Sequence, residues 1–366
     1  MLLVSLILVV VILATCRWYL NRRGLPPGPP ALPLLGSLPF LHLSRGVLDW
    51  CRDPRVTRHR LATVSLGPQD VFVINDLKLA KELFDKDEFS GRPIDGWTKL
   101  FKTENGAMRG IIFTENSNWT KQRRFGIKTL RDLGFGRRSI EHIINEEITQ
   151  IFSKLGRSSG QNYLLRSDFN IPFINVLWQL VCGYRFEESE SQGRKVIENI
   201  DEFFKNYMIL AIVPISLMKY FRNKFLEENL KIVRNQKQYI VGKYILHFFL
   251  TKYFNILNVI SEQIEKHRAT LDRENPRDFT DVYLIAMEED EGLNIDDLIL
   301  NLFDFLIAGT ETSSTTLKWL VLYLTLHQEV QDRCRAEIRE VIGDNKCSIE
   351  DIPRLPYTQV CKRSGE

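Results

Sequence analysis

A short run inside an otherwise apolar stretch, Ala308-Gly309-Thr310-Glu311-Thr312, brings a small residue, a glycine, an acid and hydroxyls together where a plain core helix carries none of them. On a helix, residues three and four apart are neighbours, so Ala308, Gly309 and Thr312 share one face and Glu311 is turned away by one step. Gly309 opens a groove for a flat ligand or a small molecule. The Thr312 hydroxyl points into that groove or bonds back to the carbonyl of Ala308, a bond that can bend a helix at a functional point. An acid beside such a groove can relay protons, which reductive oxygen cleavage at iron requires. A helix with a tolerated glycine and a polar stripe is the alternative, and these five residues do not decide between the two.

A second constellation is Trp119-Thr120-Lys121-Gln122-Arg123-Arg124-Phe125. Trp119 and Arg123, four apart on a helix, set an indole N–H beside a guanidinium, a pair of donors suited to one carboxylate-bearing ligand. A cation–π pair on a helix surface is the other reading.

These residues need elements to position them, and the pattern predicts a mainly α fold with a small β-sheet. Leu61 to Leu66 and Val71 to Ile74, separated by Gly67-Pro68-Gln69-Asp70, read as a β-hairpin. Asp76 caps a helix through Phe84, and Ser139 caps one whose Ile143, Ile144, Ile148 and Ile151 recur at helical steps. Asp297 to about His327 reads as a long helix through a soluble core, since Asp304, Glu311 and Lys318 interrupt its apolar run. Val330, Cys334, Ile338 and Val341 mark one face of a helix ended by Gly343. No internal repeat is present.

The first residues are different. Leu2 to Leu20 is nearly all apolar and, at about 1.5 Å per residue, spans about 28 Å as a helix, close to the hydrocarbon thickness of a bilayer. Arg17 stands near its end, Arg22 and Arg23 follow, and no basic residue precedes its apolar residues, which places Met1 in a lumen and the rest in the cytosol; a cleaved signal peptide is the alternative. Leu25-Pro26-Pro27-Gly28-Pro29-Pro30 then reads as a stiff spacer. The expected organisation is an anchor over residues 1–20, a proline-rich hinge over 21–38 and a domain over 39–366. Within that domain, residues 242–258 are rich in Phe, Tyr, Ile and Leu without an acid. They read as an extra buried or membrane-touching helix, or as an insertion of intron origin.

With 44% hydrophobic and 26% charged residues the composition is ordinarily globular, and a net charge of +3 with scattered basic residues gives no case for nucleic acid. The six cysteines (Cys16, Cys51, Cys182, Cys334, Cys347, Cys361) form no CxxC pair and no zinc-ligand spacing, so reduced thiols are expected. Cys182 and Cys334 read as small core residues.

In this order and separation the two constellations resemble those of the microsomal cytochrome P450 haem-thiolate monooxygenases. The resemblance covers nearly the whole chain: the anchor, Pro26 to Pro30, Phe89-Ser90-Gly91-Arg92-Pro93, Trp119 to Phe125, Glu274-Asn275-Pro276-Arg277-Asp278-Phe279, Ala308 to Thr316 and Leu355-Pro356-Tyr357-Thr358. It implies the P450 fold, haem as cofactor, and insertion of one oxygen atom from O2 into an apolar organic substrate. Electrons would come from an NADPH-dependent flavoprotein reductase, at an endoplasmic reticulum membrane crossed once. Trp119 and Arg123 match the pair that holds a haem propionate; Ala308, Gly309, Glu311 and Thr312 match the oxygen-activation groove. Lys121, Arg124, Lys128 and Arg131 would face the reductase, and Phe203 to Tyr220, with its run Met208 to Pro214, would line the substrate entrance. A solvated basic face and a plain core helix are the alternatives for these last two.

In that family the residues after Tyr357-Thr358 continue into a Glu-x-x-Arg helix and, later, a glycine-containing loop whose cysteine ligates iron. Neither pattern occurs in this sequence, and Cys361 lacks the flanking residues. The fold is therefore expected to be incomplete at its carboxyl end, with no metal ligand, and the chain alone inactive, because thiolate ligation supplies the push that favours O–O cleavage. Two alternatives stand beside this reading: a non-catalytic membrane protein that binds the reductase, and a gene-model fragment.

Overall fold

The computed structural model describes residues 2–41, 49–67, 69–92, 108–157, 159–161, 169–187, 191–210 and 242–364. The chain divides into two compact units, one of Met1–Leu100 with Lys205–Tyr244 and one of Phe101–Phe204 with Ile245–Glu366.

The first unit opens with α1 (Leu2–Asn21). Among the residues described down to their side chains, no helix is long and apolar enough to cross a membrane; most α1 side chains before Ala14 lie outside that set. A four-residue helix, α2 (Pro54–Thr57), follows, with Asp53 accepting from the amide of Arg55 at its start. Strands β1 (Leu61–Leu66) and β2 (Gln69–Ile74) pair antiparallel in a register from Leu61 opposite Ile74 to Leu66 opposite Gln69. The second strand thus begins two residues before Val71, since Gln69 and Asp70 join the ladder. Leu41, Val56, Ala62 and Val64 form its small core, with Leu66 and Val73 against it. Helix α3 (Leu77–Phe84) is capped by Asp76, whose carboxylate accepts from the Leu79 amide at 2.7 Å.

The proline-rich segment lies along β1. The Thr63 amide donates to Pro27 O at 2.9 Å and Ser37 N donates to Ser65 O at 2.6 Å. Arg22 reaches across to Asp70 at 2.5 Å and to the Ser65 hydroxyl at 2.7 Å. Fixed φ at each proline keeps the segment extended, and an extended backbone can offer a neighbouring strand its carbonyls.

The remaining helices belong to the second unit, except that the end of α7 and the start of α8 fall in the first: α4 (Asn116–Asp132), α5 (Glu141–Arg157), α6 (Asn170–Cys182), α7 (Ser191–Leu210), α8 (Gly242–Ala269), α9 (Phe279–Glu289), α10 (Ile295–Leu326), α11 (Gln328–Val341) and α12 (Pro356–Ser364). Ser139 does not cap α5. It sits in a 3-10 turn over Arg138–Ile140, and its hydroxyl occupies the space beside Gly134, where an added Cβ would lie 2.1 Å from it. Helix α6 ends as a glycine allows, with Gly183 at φ +58° and its amide on Gln179 O at 3.0 Å.

Helix α10 is the spine. Asn294 caps it through the Asp297 amide at 3.0 Å. Its Leu298, Leu302, Phe303, Leu306 and Ile307 are buried along with Ile174 and Trp178 of α6 and Phe279 and Tyr283 of α9. Residues 242–258 belong to one helix with residues 259–269: Tyr253, Ile256, Ile260 and Ile264 form one buried stripe, and the Tyr253 ring meets Phe303 edge-on at 5.0 Å. The 3-10 turn Ile349–Arg354 carries a reciprocal cap, in which Ser348 Oγ accepts from Glu350 N at 3.3 Å and Ser348 N donates to Asp351 at 2.9 Å. Ser348→Ala is expected to lower stability by about 1 kcal/mol in urea denaturation without loss of fold, the usual effect of removing such a cap.

Candidate functional site

The middle of α10 has two faces of opposite character. On the buried one, Asp297 is wholly inside and accepts from Arg109 at 2.9 Å, Asn294 at 2.7 Å and Asn118 at 3.3 Å. One turn on, Asn301 donates at 2.8 Å to the side-chain oxygen of buried Gln122 of α4, which also accepts from the Tyr283 hydroxyl at 3.1 Å. Asp304 accepts from the amides of Ile111 and Ile112 at 2.6 and 2.9 Å. Burial outweighs those two donors and pushes the Asp304 carboxyl up to about 7.

The other face is open. Ala308 and Thr312 are exposed, and the exposure continues through Trp319, Tyr323 and Leu326, at helical spacing. The Thr312 hydroxyl donates to Ala308 O at 2.6 Å, so the back-bond is present. Glu311 is half-buried: one carboxylate oxygen accepts from Thr315 at 3.0 Å, and the other is buried with no hydrogen-bond partner.

Gly309 differs from its sequence expectation. A Cβ there would stand 2.6 Å from the end of the Leu177 side chain on α6. The notch is filled by Leu177, and the glycine lets α6 and α10 approach closely while Ala308 and Thr312 alone present the open face. The cause is tertiary, because helical spacing names a shared quadrant but not the neighbour that enters it.

On α4, Arg123 lies over the Trp119 ring at 5.5 Å, with the guanidinium exposed and the indole half-buried. Lys121 is held by Asp290 at 2.7 Å, whereas Arg124, Lys128 and Arg131 are exposed. The side chains of residues 203–210 and all of 211–220, named as a substrate entrance, lie outside the described residues.

The cysteines stand as follows. Burial pushes the Cys182 thiol far up, and it faces the Thr280 hydroxyl at 3.6 Å in the core. Burial, then the Asp351 and Glu141 carboxylates, raise exposed Cys347. Burial also raises Cys51 and Cys334. None of these four surroundings favours a thiolate.

Sequence reasoning missed a buried ion pair. His267 contacts the Gln263 carbonyl through Nδ1 at 2.7 Å and Asp278 through Nε2 at 2.8 Å. A carbonyl only accepts, so Nδ1 carries a proton, and the carboxylate across from Nε2 favours a second one. Burial opposes the charge, but Asp278 outweighs it and the imidazole pKa lies above its ordinary value. Asp281 completes a trio within 4.8 Å, yet Arg277 already grips it at 2.6 and 2.9 Å. The Arg277 guanidinium already supplies Asp281 with the positive charge a cation would bring. Asp278 fell inside the quoted Glu274–Phe279 motif, but its distant partner could not be read there.

The family model for cytochrome P450 matches residues 26–362. The chain is 32% identical over 349 residues to cytochrome P450 2B2 of Rattus norvegicus, spanning 92% of this chain and 66% of that protein. It is 33% identical over 350 residues to cytochrome P450 2B4 of Oryctolagus cuniculus (91% and 65%) and 30% over 367 residues to cytochrome P450 2B9 of Mus musculus (98% and 70%). The chain thus spans 66% and 65% of the length of the first two.

Proposed function

We propose, from the premise that this chain belongs to the cytochrome P450 family, a part in haem-dependent insertion of one oxygen atom from O2 into an apolar organic substrate. Electrons would come from a flavoprotein reductase. The observation that carries the reading is the open face of α10: a Thr312 hydroxyl held on Ala308 O beside an acid with one unpartnered buried oxygen. Haem, when bound, supplies the iron at which dioxygen is reduced. Thr312 is positioned to hydrogen-bond a small polar ligand on that face, and Glu311 to hold and pass a proton. Trp119 and Arg123, stacked as a cation–π pair on α4, would turn an indole N–H and a guanidinium to carboxylate side groups. On this reading Ala308 and Thr312 would offer haem an open face and a hydroxyl, and Trp119 and Arg123 two hydrogen-bond donors.

The proposal extends to this polypeptide alone being inactive. Haemin titrated into the detergent-solubilised chain should bind reversibly, and Arg123→Ala should weaken it about tenfold, the loss of one charge-assisted hydrogen bond. The reduced carbon-monoxide difference spectrum should lack a thiolate-type band. A strong band of that type would overturn the inactivity, and haemin affinity indifferent to Arg123 and Thr312 would overturn the site.

A membrane setting is part of the reading. The apolar run of Leu2 to Leu20, with Arg17 near its end and Arg22 and Arg23 after it, supports an endoplasmic reticulum anchor with Met1 lumenal. A second reading rests on exposed Arg124, Lys128 and Arg131: a non-catalytic protein that occupies the reductase. Co-purification with reductase in the absence of haem would favour it.

A further inference from the structure

Helices α11 and α12 run antiparallel and meet along one seam. Arg354, just before α12, donates to Val341 O at 3.1 Å. Further along, Glu337 accepts from the amides of Tyr357 and Thr358 at 2.8 Å each and from the Thr358 hydroxyl at 2.6 Å. Arg333 lies over the Tyr357 ring at 4.1 Å. From Val341 with Arg354 to Glu337 with Thr358, four residues back along α11 are met by four forward from Arg354 into α12. One turn beyond Glu337 and Thr358, that register brings Cys334 opposite Cys361, close enough for the two thiols to interact.

We propose that Cys334 and Cys361 are a redox-modifiable pair that closes into a disulfide and staples α12 to α11. The oxidant is a low-molecular-weight disulfide. Half-buried Cys361 attacks one of its sulfurs as thiolate and releases the first small thiol; Cys334, buried behind it, then attacks Cys361 Sγ and releases the second. The two protein thiols lose two electrons and two protons, the small disulfide gains them, and one S–S bond forms as one breaks. The seam itself supplies the proximity, since Glu337 anchors the first turn of α12 through three hydrogen bonds. Cys182 shows the contrast, being buried against a hydroxyl rather than a second thiol.

The full chain in detergent micelles, incubated with excess oxidised glutathione and quenched with a maleimide, tests this. The expected result is loss of two of the six free thiols and one crosslinked peptide pair holding Cys334 and Cys361, reversed by dithiothreitol. Cys334→Ser should leave a persistent glutathione adduct on Cys361. Cys361→Ser should abolish the crosslink, and Cys182→Ser should leave it intact. The same reaction in guanidinium gives the reference for unselective pairing. A native product distribution equal to that reference, or a stable adduct on Cys361 of the unaltered chain while Cys334 stays free, would overturn the proposal.

Discussion

Gly28→Ala is expected to unfasten the proline-rich segment from β1 and destabilise the hairpin unit by about 3 kcal/mol or more, the upper range for overpacking. A Cβ at residue 28 would lie 1.9 Å from the carbonyl oxygen of Thr63 and 2.9 Å from its carbonyl carbon. Both are backbone atoms, so no rotamer change relieves the clash and the two chains must part. Parting them removes the Thr63 amide bond to Pro27 O, and it strains the next contact, where Ser65 N donates to Ser37 Oγ at 3.2 Å and Ser37 N to Ser65 O at 2.6 Å. Thr63 and Ser65 are 3% and 1% exposed because this segment covers them. Amide exchange at Thr63 and Ser37 should therefore accelerate in the variant well before exchange on α10. Protection at those amides equal to that of the parent would refute the close-approach account. Gly24, which has nothing within 4 Å of an added Cβ, is the matched control, and Gly24→Ala should be nearly silent.

What could be read beforehand was local, and what could not was tertiary. Asp76 before Leu77 and the end of α11 before Gly343 follow from caps and periodicity, and both occur. So does the back-bond from Thr312 to Ala308, since a threonine within a helix has a carbonyl four residues behind it. Gly309 shows the limit, because Leu177, far away in sequence, decides what the missing side chain makes room for. Ser139 is a good cap by type, yet Gly134 gave its hydroxyl another place. Residues 242–258 end in the sequence reading where the helix does not: the stripe of Tyr253, Ile256, Ile260 and Ile264 crosses that boundary and reaches the core. Prolines 26 to 30 announced stiffness, but the strand they lie against is more than thirty residues on. Asp304 read as an interruption suited to a soluble helix. Only the fold shows that it faces two amides from a loop nearly two hundred residues away.

That placement makes Asp304→Asn the variant with the largest expected effect on pH dependence. The folded chain keeps a proton on Asp304 up to about pH 7, whereas an unfolded aspartate releases it near about 4. Between those limits the folded state binds more protons than the unfolded one, so stability falls as pH rises from about 4 to about 7. Below that window both states hold the proton, and above it neither does. At about 1.36 kcal/mol per pKa unit, the fall attributable to this one carboxyl is up to about 4 kcal/mol. Asparagine keeps an oxygen for the amides of Ile111 and Ile112 but has no proton to lose, so its curve across this window should be flatter and should lie above the parent at pH 8. Leucine instead would orphan both amides, at about 1–3 kcal/mol each, and should be destabilising at every pH. Tyr253, raised by burial and then by Asp304, titrates far above the window. His267, on Asp278 in a separate contact, titrates equally in both proteins and cancels in the difference. Urea midpoints at intervals from pH 4 to pH 8 measure that difference directly, and a difference that does not change with pH would show that Asp304 is ionised in the fold.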